Sequence, residues 1–241
     1  MGIVLFASSV CAAPSATDIV ERADTLLWGK TLQGEMDMVI TTPTWSKTIA
    51  IKMWSDRPTK SFARIVSPVK EAGITSLRIH SEMWNYIPNI ERTIKIPPSL
   101  MLQPWFGSDF TNDDMVKESS YVHDYNHRLI AEPHIAGQDT YEIEGLPKAN
   151  AAVVWGKIVF WIRKTDFIPV KTHFFDERGE LMRVMSFSDI RPLGGRTIPT
   201  RWNIQPVNKP GKHTTLILKS GTYDKPIPAD IFSLRNLTQK D

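Results

Sequence analysis

EMDMVITTPTWSKTIAIKM, residues 35–53, decides the fold. Met36, Met38 and Ile40 fall on one face of an extended segment whose other face carries Glu35 and Asp37. Strict alternation of this kind marks a strand with one dry side. Thr42-Pro43-Thr44 turns the chain, and Ile49, Ile51 and Met53 then alternate with Thr48, Ala50 and Lys52. Two period-two segments joined by so short a turn pair antiparallel, because a parallel crossover needs a much longer connection.

Upstream the period is helical. Thr17-Asp18 can cap a helix whose apolar residues Ile19, Val20, Ala23, Leu26, Leu27 and Trp28 recur at helical spacing, and Gly29 ends it. Downstream the period stays at two, with strands expected at 62–66, 75–80, 83–87 and 93–96. After a break they resume at 128–132, 139–144, 153–163, 167–175, 181–190, 198–204 and 214–218. In 153–163, Trp155, Val159 and Trp161 share one face, and Val154, Ile158, Phe160 and Ile162 the other. A strand apolar on both sides must be covered on both. This fits a curved antiparallel sheet with a dry or ligand-filled concave side. A last short helix is expected from Pro228-Ala229-Asp230 toward Leu234. The class is therefore mainly β with a few helices (α+β). No repeat or linker divides the chain, so residues 14–241 are expected to form a single domain.

The 241 residues are 41% hydrophobic and 23% charged, an ordinary globular balance. The formal net charge is +3, and the basic residues are scattered along strands, which argues against a nucleic-acid partner.

Between the two groups of strands lies WNYIPNIERTIKIPPSLMLQPWFGSDFTNDDM, residues 84–115. Trp84 and Tyr86 alternate on a strand, Pro97-Pro98 break the next one, and Leu100, Met101, Leu102, Trp105 and Phe106 form an apolar run before the turn at Gly107-Ser108-Asp109. Large apolar side chains packed between prolines suggest a lid or plug over the sheet, one way to build a cavity for an apolar ligand. Thr111 to Asp114 then suggests a capped helical turn leading to Met115 and Val116. The candidate cavity and lid residues are Met36, Met38, Met53, Trp84, Tyr86, Met101, Trp105, Phe106, Phe110 and Trp161. The same residues would also serve ordinary core packing.

The N-terminus resembles an export signal. Ile3 to Phe6 form an apolar run, small residues follow, and cleavage near Ala12 or Ala13 would make residues 1–13 a signal peptide. The usual basic residues ahead of the run are missing, as expected of a truncated or misassigned start. Cys11, the one cysteine, lies inside this segment, so a cleaved chain would hold no disulfide. Val10 before it is larger than a lipid-attachment site usually carries.

The sequence carries no nucleophile elbow, no phosphate-cradling glycine loop and no His-Glu-x-x-His helix. Ser108 sits in a turn that explains it. His123 and His127 are four apart, but Tyr125-Asn126 between them suggests a turn and no third ligand is evident. Asp113-Asp114 fit charges at a helix N-terminus. The expectation is a protein that is not an enzyme and needs neither metal nor cofactor.

Trp84-x-Tyr86-x-Pro88, Arg92, Lys95-Ile96, Phe106-Gly107-Ser108-Asp109-Phe110 and Asp113-Asp114 together resemble the signature of the outer-membrane lipoprotein-sorting (LolA-like) proteins of Gram-negative bacteria. Arg64, Ser67-Pro68 and Gly73 extend the similarity. The resemblance implies a strongly curved, unclosed antiparallel β-barrel covered by helices, in a periplasmic protein whose cavity takes lipid or the acyl chains of lipoproteins. It implies an inner-membrane transporter and an outer-membrane receptor as partners. A lipid- or lipoprotein-sensing regulator on the same fold is the alternative. The physical chemistry agrees with a carrier. An acyl chain gains about 0.8 kcal/mol per buried CH₂, and flexible Met side chains let a wall adapt.

Overall fold

The computed structural model describes residues 13–101, 103–112, 114, 120–149, 151 and 153–239. Residues 1–12 of the expected signal segment, Cys11 among them, and the residues Leu102, Asp113, Met115 and Val116 lie outside this set. Helix α1 spans Ala16–Trp28. Its N-cap is Ser15, not Thr17, because Ser15 and Asp18 close a reciprocal capping box: the Asp18 amide donates to Ser15 Oγ, and the Ser15 amide to the Asp18 carboxylate. Gly29 ends the helix at φ +64°, a left-handed conformation that glycine adopts without strain. The Arg196 guanidinium donates to the last carbonyls, Thr25 and Leu26, and so complements the negative end of the helix.

Fourteen strands follow: β1 Thr31–Thr41, β2 Ser46–Asp56, β3 Lys60–Ser67, β4 Thr75–Ile79, β5 Glu82–Ile87, β6 Arg92–Lys95, β7 Tyr125–Ala131, β8 His134–Ile135, β9 Gln138–Pro147, β10 Lys157–Arg163, β11 Pro169–Phe175, β12 Leu181–Leu193, β13 Arg196–Pro206 and β14 His213–Tyr223. Their order in the sheet is β6-β5-β4-β3-β2-β1-β14-β13-β12-β11-β10-β9-β7, with β8 beside β9, and every ladder is antiparallel. The ends, β6 and β7, are not joined, so the barrel is unclosed as expected. Strand β10 begins at Lys157, later than expected. A Cβ at Gly156 would lie 2.5 Å from the Asp176 carbonyl, so the backbone there is spent on a close approach. The Trp155 carbonyl instead accepts the Tyr125 hydroxyl at 3.1 Å.

Bulges bend the sheet. The register shifts in β1–β14 between Glu35 and Met36, in β2–β3 between Ala50 and Ile51, and in β10–β11 between Trp161 and Ile162. Gly34, next to the first, passes so near β14 that a Cβ would stand 2.3 Å from the Ser220 carbonyl.

Three apolar clusters result. One joins Met36, Met38, Ile49, Ile51 and Met83 to Trp105. A second packs Ile19, Val20 and Ala23 of α1 against Phe160, Ile162 and Phe174. In the third, the C-terminal turns Ala229–Phe232 and Leu234–Leu237 set Phe232 and Leu237 against Phe62 and Leu77. Arg64 donates to the Asn236 and Gln239 carbonyls, and Thr75 to that of Leu237, which fastens the C-terminus there.

Candidate functional site: a plugged apolar cavity

The concave face of the sheet, α1 and the segment after β6 enclose a cavity of about 160 Å³. Helix α1 contributes Val20, Ala23, Asp24, Leu27 and Trp28, one stripe at helical spacing. The sheet contributes inward residues at alternating positions: Met36 of β1, Ile51 and Met53 of β2, Ala63 of β3, Phe160 and Ile162 of β10, Phe174 of β11 and Trp202 of β13.

The segment after β6 is the one expected to form the plug. Pro98–Leu100 and Trp105–Gly107 are single 3₁₀ turns, and Phe106 takes a left-handed backbone at φ +49°. The chain doubles back on itself: the Trp105 amide donates to the Phe110 carbonyl at 2.7 Å, and the Asn112 amide to the Gln103 carbonyl at 3.0 Å. Trp105 and Phe110 line the cavity, with the Phe106 ring tilted against Trp105 at 4.6 Å. Ser108 works inside this turn. Its hydroxyl donates to the Trp105 carbonyl at 2.7 Å and accepts from the Phe110 amide at 3.1 Å.

Of the candidates read from sequence, the structure brings Met36, Met53, Trp105 and Phe110 to the cavity. Met38 is buried in the cluster around Trp105, and Met101 and Phe106 pack against that cluster. Trp84, Tyr86 and Trp161 stand on the other face. Trp84 is directly opposite Leu77 and Tyr86 opposite Thr75, both beneath the C-terminal turns. Trp161 packs with His173 at 4.5 Å and beneath the Lys171 ammonium at 4.1 Å, whereas its neighbours Phe160 and Ile162 face inward. The period of two separates neighbours in sequence onto opposite faces, and sequence alone does not say which face is concave.

Sequence reading missed the polar groups at the cavity wall. Asp24 forms an ion pair with Arg57 at 2.7 Å. Burial pushes its carboxyl above the ordinary value, and Arg57 opposes that only in part. Asp114 does more than cap a turn. Thr111 donates to it from both backbone and side chain, Tyr121 donates to Oδ1, and Arg183 grips it with two nitrogens at 2.7 and 2.5 Å. Arg183 also lies over the Trp155 and Phe174 rings at 4.4 and 4.3 Å. Burial alone would raise the Asp114 carboxyl, but Arg183 and Thr111 outweigh it and hold it below the ordinary value. His127 belongs to β7, where Nε2 donates to the Tyr121 carbonyl and Nδ1 pairs with the Thr17 hydroxyl, and it does not share a helix with His123. Among the described residues no group of three or more His, Cys, Asp or Glu side chains could hold a metal ion.

Fold and site together define an unclosed β-barrel with an apolar cavity that Trp105 and Phe110 help to line. A family model described as "Uncharacterized protein" matches residues 57–239, and the chain belongs to that family. No curated protein matches. Among solved structures the chain is similar to a DUF1329 family protein from Desulfovibrio piger, at 21% identity and a TM-score of 0.84, covering 92% of this chain and 97% of that one. It is similar to an outer membrane lipoprotein-sorting protein domain from Vibrio parahaemolyticus, at 21% identity and a TM-score of 0.80, covering 93% and 98%. A LolA superfamily protein from Nitrosomonas europaea matches at 21% identity and a TM-score of 0.79, covering 93% and 100%. The fold is LolA-like, as the sequence resemblance implied.

Proposed function

We propose that this protein is a periplasmic carrier of a Gram-negative envelope, which holds lipid or the acyl chains of lipoproteins in the cavity beneath Trp105 and delivers them toward the outer membrane. The supporting observation is the cavity itself. Met, Trp, Phe and Ile side chains of α1 and the sheet line it, together with Trp105 and Phe110 from the segment after β6. An apolar chain entering it loses water contact at a gain of about 0.8 kcal/mol per CH₂, which needs no covalent chemistry. Release then requires the plug to move, at a membrane or at a protein partner. An inner-membrane transporter would supply the cargo and an outer-membrane receptor would accept it. The likeness to a lipoprotein-sorting domain supports the same reading. The protein has no catalytic part in it, since Ser108 is committed to the turn.

The test is to express the chain with a working export signal, purify it without detergent, and identify what co-purifies by native mass spectrometry and lipid extraction. A stoichiometric lipid or acylated protein that exchanges with vesicles supports the carrier. An empty protein that takes up no fluorescent fatty acid overturns it. Replacing Trp105 and Phe106 by Ser should speed loss of the bound lipid; unchanged retention would remove the plug from the account.

A further inference from the structure

One end of the cavity is not apolar. Ser55 of β2 stands opposite Ser61 of β3, and Ser61 opposite Arg78 of β4. Residues directly opposite in antiparallel ladders share a face, and all three of these line the cavity. Arg78 is buried. It donates from Nε to the Ser61 hydroxyl at 3.3 Å and from Nη1 to the Pro58 carbonyl at 2.9 Å. Arg57, next to Pro58, reaches Asp24, which borders the same cavity from α1. The turn between β2 and β3 thus gathers two guanidinium groups, one carboxylate and two hydroxyls at a wall that is elsewhere Met, Trp and Phe.

Among the described residues, two buried polar atoms of the cavity lining have no hydrogen-bond partner: Ser55 Oγ, in a residue 0% exposed, and Trp105 Nε1, in a residue 3% exposed. Leaving such groups unsatisfied is costly, and native proteins rarely do so without a reason. An indole N–H can only donate, and a hydroxyl beside an arginine is set to donate to a shared acceptor. A negatively charged oxygen answers the Ser55 hydroxyl and meets the charge of Arg78 in the same row. Asp114, the carboxylate at another part of the wall, offers no comparable opening, because Arg183, Thr111 and Tyr121 occupy both of its oxygens.

Size narrows the ligand further. An apolar cavity of roughly 150 Å³ holds about one benzene-sized molecule, so a cavity of this order takes a segment of one chain and not several chains side by side. We propose that the ligand is a single-chain anionic amphiphile. Its carboxylate or phosphate oxygens sit at the Ser55–Ser61–Arg78 row, and its hydrocarbon runs along Met53 and Met36 beneath the plug. This rests on the carrier reading and names its cargo class.

The test uses the delipidated full chain and isothermal titration with dodecanoate, monododecyl phosphate and dodecanol, which share a chain and differ in head. At least one anion should bind about tenfold or more tightly than dodecanol, the usual worth of a charge-assisted hydrogen bond. Ser55→Ala and Arg78→Gln should each remove most of that preference while dodecanol binding stays unchanged. Ser55→Ala is small enough to leave the fold intact, and it decides the matter if Arg78→Gln does not fold. The tighter of the two anions tells a fatty acid from a lipid phosphate. Equal binding of all three ligands, or substitutions that weaken all three alike, overturns the anionic head and leaves the carrier standing. Failure of every ligand to bind overturns both.

Discussion

Asp109 and Thr214 exchange two hydrogen bonds between the plug and the sheet: the Asp109 amide donates to Thr214 Oγ1 at 2.9 Å, and the Thr214 hydroxyl donates to Asp109 Oδ2 at 2.7 Å. Lys212 completes the anchor with an ion pair to Asp109 Oδ1 at 3.1 Å. The Asp109 side chain is 1% exposed, so the contact is dry, and bonds of this kind to a charged group contribute about 1.5–3 kcal/mol. This is where the plug is fastened to β14.

Thr214→Val keeps the shape of the side chain and removes both bonds. We expect it to raise amide hydrogen exchange across residues 103–112 by about tenfold or more, with little change in β1 or β13, because a local opening and not the whole fold is made easier. Asp109→Ala should do the same more strongly. If exchange in 103–112 tracks that of the central strands in both variants, the plug does not open independently and the latch assignment fails.

Asp114 and Arg183 make a different bond. Both are buried, the pair is bidentate, and the arginine is sandwiched against Trp155 and Phe174. Removing one partner strands the other charge, so Arg183→Met should cost about 3–5 kcal/mol in urea unfolding. Adding Asp114→Asn to that variant should recover part of the loss. Since the Asp114 carboxyl is held below the ordinary 3.8, its stabilising term is present above that pH and disappears as the pH falls through its folded value. Equal stability of the single and double variants would mean that the pair is not electrostatically coupled.

Milder acid acts through histidine. His127 is lowered, first by burial and also by Lys148, with the Tyr121 carbonyl opposing; His173 is lowered by burial and by Lys171. The unfolded chain therefore takes up protons at these sites at a higher pH than the folded one does. Stability should be full above the ordinary histidine value of 6.5 and decline as the pH drops toward the folded values. In thermal melts between pH 8 and 5, His127→Gln should flatten part of that slope. An unchanged slope would assign the effect to His173 or to other groups.

Much of the fold was legible because its signal is local. Alternation of Met36, Met38 and Ile40 against Glu35 and Asp37 is visible in a few residues, and so is the stripe of α1. The place of Trp105 beside the cavity was legible for a similar reason: Trp105 and Phe106 sit between prolines and a glycine turn. The wall was harder. Phe160 and Trp161 are neighbours with equal claims to a cavity, and only the ladder partners, Thr172 and Lys171, decide which one faces inward. The polar pole was invisible because Ser55, Ser61 and Arg78 meet through pairings of three strands, and nothing in SDRPTKS, residues 55–61, marks a binding site. Arg183 and Asp114 are far apart in sequence, and the motif that holds Asp114 says nothing of an arginine partner 69 residues on.

Ala63 offers a direct test of where ligand sits. It lies on β3 opposite Met53 and Ser76, lines the cavity, and has a methyl group where a larger side chain would project into the open space. Filling an existing void usually adds about 0.5–2 kcal/mol of stability, whereas forcing methylenes into a packed core costs about 1–3 kcal/mol. The space beside Ala63 places Ala63→Leu in the first class, so its urea midpoint should hold or rise while dodecanoate affinity falls about tenfold or more. That opposition matters: a merely damaged protein would lose both, and a packed core without a ligand would lose stability alone. Undiminished binding together with raised stability would show that the amphiphile lodges elsewhere on the molecule, and the cavity would then be a packing defect and not a cargo site.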